Sequence, residues 1–517
     1  MEFTLFGKRI IIKKEWKTAV VATWVIGLMA HAYRFFNFLP IWDSMFNFQG
    51  VGDTFYLGRW GLHYAGLLSS KFDLPWVNGM LSLCYISLTM ILIVELFEMS
   101  DTLLIVLTAG VFVSFPTVVA SFAYMYTADP YMLAFLLATA SVYLVWRFPK
   151  RGIVVAMLCL CLSMGTYQAY VGTAVILVLL LIVKQFAFEH INFMQAVRRD
   201  WKYPVMLVGG AVLYFLAQKI FMVRLNYELS SYQGVNAMGV MSFGEYKQAL
   251  KRSVLQFLEL LGLKDGFDRQ IYTEIHFLLL GLFAALSLYF VIKKKLYQKP
   301  LELAASVAAV CLLPVGAFLI NFTSPYVTYH TLMEMGVCFF YLLLLLLLQQ
   351  LNGKERVERF LRGCGIAAVC LLLYHNVVNS NIAYYHLNLS YHKSYAIAAN
   401  LLDRMENLSE FGAVTTKVAI IGDYDAETMD LPALKPDIVG ISNQSFLNVP
   451  YHYVSLWNYC FGVQTCVATA EELEAVRASE EFYNMPLYPA KESVRYFEAR
   501  EYNGSYIDSM IVIRMPE

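Results

Sequence analysis

Charge is scarce in this chain: Asp, Glu, Lys and Arg together make up 15% of its 517 residues. A soluble protein of this length needs far more polar surface, so the scarcity excludes a globule dissolved in water and places most of the chain in lipid. The charge that is there balances, 39 basic residues against 39 acidic, which removes the field a nucleic-acid partner would need. Zinc-like Cys/His spacing, a glycine-rich phosphate loop and a nucleophile elbow are missing, as are internal repeats and low-complexity tracts. Cysteine is sparse too, nine residues in all. Cys84, Cys159, Cys161, Cys311, Cys338, Cys364 and Cys370 fall in apolar runs and read as small core residues, whereas Cys460 and Cys466 lie in a polar tail where pairing and separate thiols are both open.

What is abundant is apolar: 59% of the residues are hydrophobic and the mean hydropathy is +0.54. The fold class expected is mainly α, a polytopic membrane helix bundle of about eleven spans of roughly 20 residues each. They lie near 17–37, 77–97, 101–120, 130–147, 152–166, 168–184, 203–222, 272–292, 301–321, 331–350 and 363–383. Lys8, Arg9, Lys13, Lys14 and Lys17 precede the first run, but no small-residue cleavage pattern precedes Tyr33 and Arg34, so the run reads as a retained span. The count can be checked against charge. Loops placed on the starting side hold Arg147, Lys150 and Arg151, then Lys184, Arg198, Arg199 and Lys202, then Lys293, Lys294, Lys295 and Lys299, then Lys354, Arg356, Arg359 and Arg362. Short loops of the other side carry almost no Lys or Arg beyond Arg59 and Lys71, so the N-terminus is expected in the cytoplasm and the C-terminal region outside. Drawing 152–183 as one helix would swap the side of every later basic loop, so two short spans meeting at Thr166-Tyr167-Gln168 are expected, a break of the kind that lines cavities.

Three outer segments exceed ordinary loops. The first, about 38–76, holds Asp43, Asp53, Arg59, Trp60 and Trp76; the second, about 223–271, contains an amphipathic stretch from Glu245 to Leu258 that reads as a helix in the membrane interface. The third begins near 384, where the composition turns polar. Lys417 to Asp423 reads as a strand into a turn, Thr469 to Ser479 as a capped helix and Ser505 to Arg514 as a strand. Two domains follow: 1–383 in the membrane and 384–517 as a small extracytoplasmic α/β domain.

Asp43, just past the first span, is a carboxylate at the outer rim of the bundle, a position suited to chemistry on a lipid-borne substrate. Each candidate has a plainer reading beside it. Asp43 and Asp53 fit solvated loop acids, Arg59 and Trp60 an interfacial anchor, and Asp129 before Pro130 an N-cap. Tyr167 and Gln168 fit helix packing, His330 an idle interfacial histidine, and Lys251 and Arg252 a stripe facing headgroups.

Trp42-Asp43-Ser44, Gly58-Arg59-Trp60, Phe115-Pro116, Ala128-Asp129-Pro130-Tyr131 and Gly165-Thr166-Tyr167-Gln168, in this order, resemble the bacterial glucosyltransferase II family over roughly residues 15–385. The family's usual paired acids are represented here by Asp43 followed by Ser44. The resemblance implies a GT-C-like membrane glycosyltransferase of the O-antigen-modifying type in the bacterial cell membrane. It would take a hexose, glucose by the resemblance, from a polyprenyl-phosphate donor to an envelope glycan or glycolipid outside. Such transfer needs a base for the acceptor hydroxyl, the role expected of Asp43, and positive charge or a divalent metal for the departing phosphate, the role expected of Arg59. Asp53, Trp60, Asp129, Tyr167, Gln168 and His330 are expected around the substrate. A glycolipid flippase fits less well, because the spans carry few ionisable residues at mid-membrane. A polysaccharide polymerase would carry an Arg-rich middle loop, and 223–271 has only Arg224, Arg252 and Arg269.

Overall fold

The computed structural model describes residues 2–5, 8–46, 54–189, 191–263, 270–412, 416–422, 438–441, 447–502 and 505–516. The chain divides into two compact units: Met1–Asn37, Val51–Ile382 and Pro436–Val439 form the first, and Phe38–Gly50, Ala383–Lys435 and Gly440–Glu517 the second.

The first unit is helical. Among the described residues eight helices are long and apolar enough to cross a membrane: Lys14–Phe36, Pro75–Leu96, Met125–Arg147, Gln168–Phe188, Phe193–Leu225, Thr273–Lys293, Pro300–Ala317 and Arg356–Glu406. A ninth candidate is the pair Thr102–Val113 and Pro116–Ala123, bent by 41°. The bend has a local cause: Pro116 opens the second helix and holds Phe115 extended, at φ −63° and ψ 143°. Gly152–Thr166 and Met335–Gln349 are shorter apolar helices. Each of the eleven expected segments thus coincides with a helix, although two are too short, and one too bent, to count as simple spans.

The break expected near residue 167 is present. Tyr167 is extended (φ −154°, ψ 110°) and separates Gly152–Thr166 from the turn at Gln168. One helix start differs from expectation. Met125–Arg147 begins five residues before Pro130, so Asp129 lies inside the helix and is not its cap, which is Tyr124. Pro130 leaves one carbonyl of the first turns without its helical N–H, a defect tolerated close to a helix start.

Ion pairs collect the loops of one end of this unit: Lys13 with Glu95 at 2.6 Å, Lys184 with Glu98 at 2.7 Å, and Arg362 with Asp101. These pairs, partly exposed except at the buried Lys184, bring together loops that the charge pattern assigns to one side. Cys338–Gln349 is buried on all faces from Cys338 to Leu348, as a helix apolar all round must be. The amphipathic stretch expected to be helical is the helix Phe243–Leu258, opened by a capping box of Ser242 and Glu245. Ala249, Ser253 and Phe257 form its buried stripe. Arg252 donates to the Pro325 carbonyl at 3.2 Å, so it belongs to the packing and not to a headgroup-facing stripe.

The second unit holds a four-stranded sheet in the order Thr465–Val467, Thr416–Ile421, Met510–Arg514, Val494–Phe497, the first three parallel and the last antiparallel. Thr469 and Glu472 form a capping box for the helix Ala470–Arg477. The single strand expected over 505–514 is in fact two, Ser505–Ile507 pairing with Arg500–Tyr502, and Met510–Arg514 in the main sheet. Cys460 and Cys466 are separate thiols.

Candidate substrate site

The site is built on a tight turn. Gly58 has φ +72° and links the short turn Phe55–Leu57 to the helix Trp60–Ala65. Glycine is required there for two reasons: the left-handed backbone, and a Cβ that would fall 2.7 Å from the Tyr214 hydroxyl and 2.9 Å from Gln168 Nε2. Three side chains hold the carbonyls of this turn. Gln168 Nε2 donates to Leu57 at 2.9 Å, Tyr214 to Gly58 at 3.1 Å and Thr54 to Arg59 at 3.1 Å. Behind the turn Trp60 is buried, its ring stacked on Phe221 with centroids 5.4 Å apart. A Cβ on Gly61 would lie 2.8 Å from the Gly165 backbone. The close approach fixes Trp60–Ala65 against Gly152–Thr166. Gly58→Ala is therefore expected to destabilise the protein by roughly 1–3 kcal/mol through crowding and backbone strain. A lower unfolding temperature of the purified protein in detergent would register it.

So held, Arg59 points into tyrosines. Its guanidinium lies over the Tyr167 ring, 4.8 Å from the centroid, and donates to the Tyr131 hydroxyl at 3.4 Å. Tyr131 and Tyr167 stack on each other at 4.3 Å. Arg59, Tyr167, Gln168, Tyr232, Gln233, Val327 and their neighbours line a pocket of about 30 Å³, room for roughly one or two waters. Among the described residues no carboxylate pairs with Arg59, and its buried Nε has no hydrogen-bond partner. A guanidinium even partly removed from water without a counter-ion is costly, and the cation–π contact offsets only about 0.5–2 kcal/mol of that cost. The arrangement is complementary to an anion.

His330 adds a neutral ring near the same cation. Burial, then the Arg59 charge, push its imidazolium down to about 4, so at neutral pH it offers one donor and one acceptor nitrogen. Its Nδ1 is buried and without a partner among the described residues.

Asp129 lies elsewhere on the helix that carries Tyr131. Its Oδ1 accepts from Asn78 at 2.7 Å and from Ser69 at 3.0 Å, tying the segment around 66–78 to the bundle. Asp129→Ala is expected to destabilise by about 1–3 kcal/mol for the donors left unpaired, whereas Asp129→Asn keeps an acceptor and folds normally. Thermal unfolding of the two variants side by side checks this.

The first unit thus brings together Arg59, Tyr167 and Gln168, with His330 near the Arg59 charge and Trp60 behind. Asp53 lies outside the described residues. Asp43 belongs to the second unit, half-buried in the turn Trp42–Phe46. Tyr214, Tyr232 and Gln233 are single polar residues with no motif around them, so the sequence carries no signal for them; Tyr131 stands in the Asp129-Pro130-Tyr131 motif, which does not by itself mark its contact with Arg59.

Among the described residues no group of three or more His, Cys, Asp or Glu side chains forms a cluster able to hold a metal ion. No curated protein and no solved structure matches the chain. The family described as "Glucosyl transferase GtrII" matches residues 32–339, a stretch that contains the Arg59 turn, both halves of the broken hairpin and His330. That match spans more than half of the chain, and this protein belongs to the Glucosyl transferase GtrII family.

Proposed function

We propose that this glucosyltransferase takes a hexose, glucose by family, from a polyprenyl-phosphate donor and transfers it to an envelope glycan on the outer side of the bacterial membrane. The observation that carries the reading is the part-buried Arg59 guanidinium, caged by Tyr131 and Tyr167 and paired with no carboxylate among the described residues. A phosphate linking sugar to lipid supplies the missing negative charge, and a planar guanidinium grips two of its oxygens at once. As the bond from the sugar's anomeric carbon to the phosphate oxygen breaks, charge grows on that phosphate, so Arg59 binds the transition state more tightly than the ground state. Asp43 takes the proton of the acceptor hydroxyl as its oxygen forms the new bond to the anomeric carbon. Polyprenyl phosphate leaves with the charge and needs no proton.

His330, neutral, and Gln168 are polar partners for sugar hydroxyls. Tyr232 and Gln233 are the walls that must move, since the pocket is smaller than a hexose and Tyr232 is exposed. The outward orientation is supported by the basic loops, whose ion pairs gather at the end of the bundle opposite the Arg59 pocket: Gln168 starts, and Lys184 lies in the last turn of, the same helical segment Gln168–Phe188. The test is a sugar analysis of envelope polysaccharide from cells with and without the protein. Loss of one glucose substituent per repeat supports the reading. Shortened chains would instead indicate a polymerase, and an unchanged composition with lipid-linked sugar accumulating inside would indicate a flippase.

A further inference from the structure

We infer that the C-terminal domain is a positioning device for Asp43, the turn that carries it being held by the second unit's core. The inference rests on the proposed role of Asp43 as the base. Its observations are all internal to the second unit, which includes Phe38–Gly50 although that segment follows the first helix in sequence.

The turn Trp42–Phe46 is fastened on both sides of Asp43. Ser44 is buried, its Oγ accepts from the Ile41 N–H at 3.1 Å, and its own N–H donates to the Ile41 carbonyl at 2.9 Å. Ser44, next in sequence to Asp43, therefore closes the turn. One residue on, the Met45 side chain is 1% exposed and sits in a core made by Leu402, Val454, Trp457, Ile511 and Ile513. The Met45 carbonyl accepts from the buried Ser455 hydroxyl at 2.8 Å. Ser455 lies on the helix Pro450–Leu456, and the adjoining Trp457 donates its indole N–H to the Ala398 carbonyl at 2.9 Å. Before the turn, Phe38 meets Tyr391 edge to face at 6.4 Å. Two residues after the acid, then, the backbone is tied to Ser455, and five residues before it the Phe38 ring meets Tyr391, both partners more than 300 residues away in sequence.

Such anchoring is unusual for an outer loop, which normally packs little and moves much. It fits a base, which must stand within about 3.2 Å of the hydroxyl it deprotonates; a misplacement of about 1 Å costs roughly a hundredfold in rate. Ser455 and Met45 are then positioning residues for Asp43.

The experiment uses the full-length protein in lipid vesicles, with labelled polyprenyl-phosphate glucose as donor and envelope polysaccharide as acceptor. Ser455→Ala and Met45→Ala are expected to lower kcat roughly tenfold to a hundredfold, with the donor KM and the unfolding temperature of the bundle little changed. Ser455→Thr and Met45→Leu, which keep the hydroxyl and the buried volume, are expected to restore most of the rate. If Ser455→Ala and Met45→Ala keep full kcat while Asp43→Asn is inactive, the positioning inference is overturned and the role of Asp43 stands. Full activity of Asp43→Asn overturns both. A rise in KM with unchanged kcat also overturns the inference, since it assigns the domain to substrate binding.

Discussion

Asp43→Asn is expected to lower glucosyl transfer by about 10²–10⁴-fold, the usual contribution of a general base. The amide has nearly the shape of the carboxylate, so the buried Ser44 and Met45 still close and anchor the turn. What it lacks is the capacity to take a proton. Protein yield and unfolding temperature should therefore match the wild type, and the loss should fall on kcat while the donor KM stays in place. Transfer at the wild-type rate would remove Asp43 from the chemistry.

The second large effect belongs to Arg59. Arg59→Ala is expected to reduce kcat/KM for the lipid-linked donor by roughly a hundredfold, the scale of removing one member of a buried, hydrogen-bonded charge pair. Stability should move the other way or not at all. In the absence of substrate the guanidinium has no counter-ion among the described residues, so its removal relieves a desolvation cost at the expense of packing on Tyr167. A merely structural arginine would show the opposite pattern, lost stability with donor use intact. Arg59→Lys should rescue little, because an ammonium neither stacks on Tyr167 in the same way nor presents a planar pair of donors. Initial rates at varied donor concentration, together with thermal unfolding in detergent, separate these outcomes.

The helices were legible in the sequence because a bilayer demands long apolar runs, and the break at Tyr167 because the side of each basic loop constrains the number of crossings. Local chemistry misled at Asp129. Asp before Pro has the pattern of a helix start, yet the surrounding bundle carries the helix back to Met125 and gives the carboxylate a different task with Ser69 and Asn78. Arg59 could be singled out as a rare basic residue on its side, but its tyrosine cage could not. Tyr131, Tyr167 and Tyr232 come from three elements whose meeting depends on helix packing, not on spacing along the chain. The same holds for Asp43. A loop acid next to the first span gives no sign that Ser455, 410 residues later, bonds the turn that carries it.

The most direct test of the account is transfer by the purified protein in vesicles, with labelled glucose presented either on polyprenyl phosphate or on a nucleotide diphosphate and with envelope polysaccharide as acceptor. The account predicts that label moves to the glycan from the polyprenyl-phosphate donor alone, and that Arg59→Ala abolishes most of that movement. Transfer from the nucleotide sugar, or transfer from the lipid donor that is indifferent to Arg59, would contradict it.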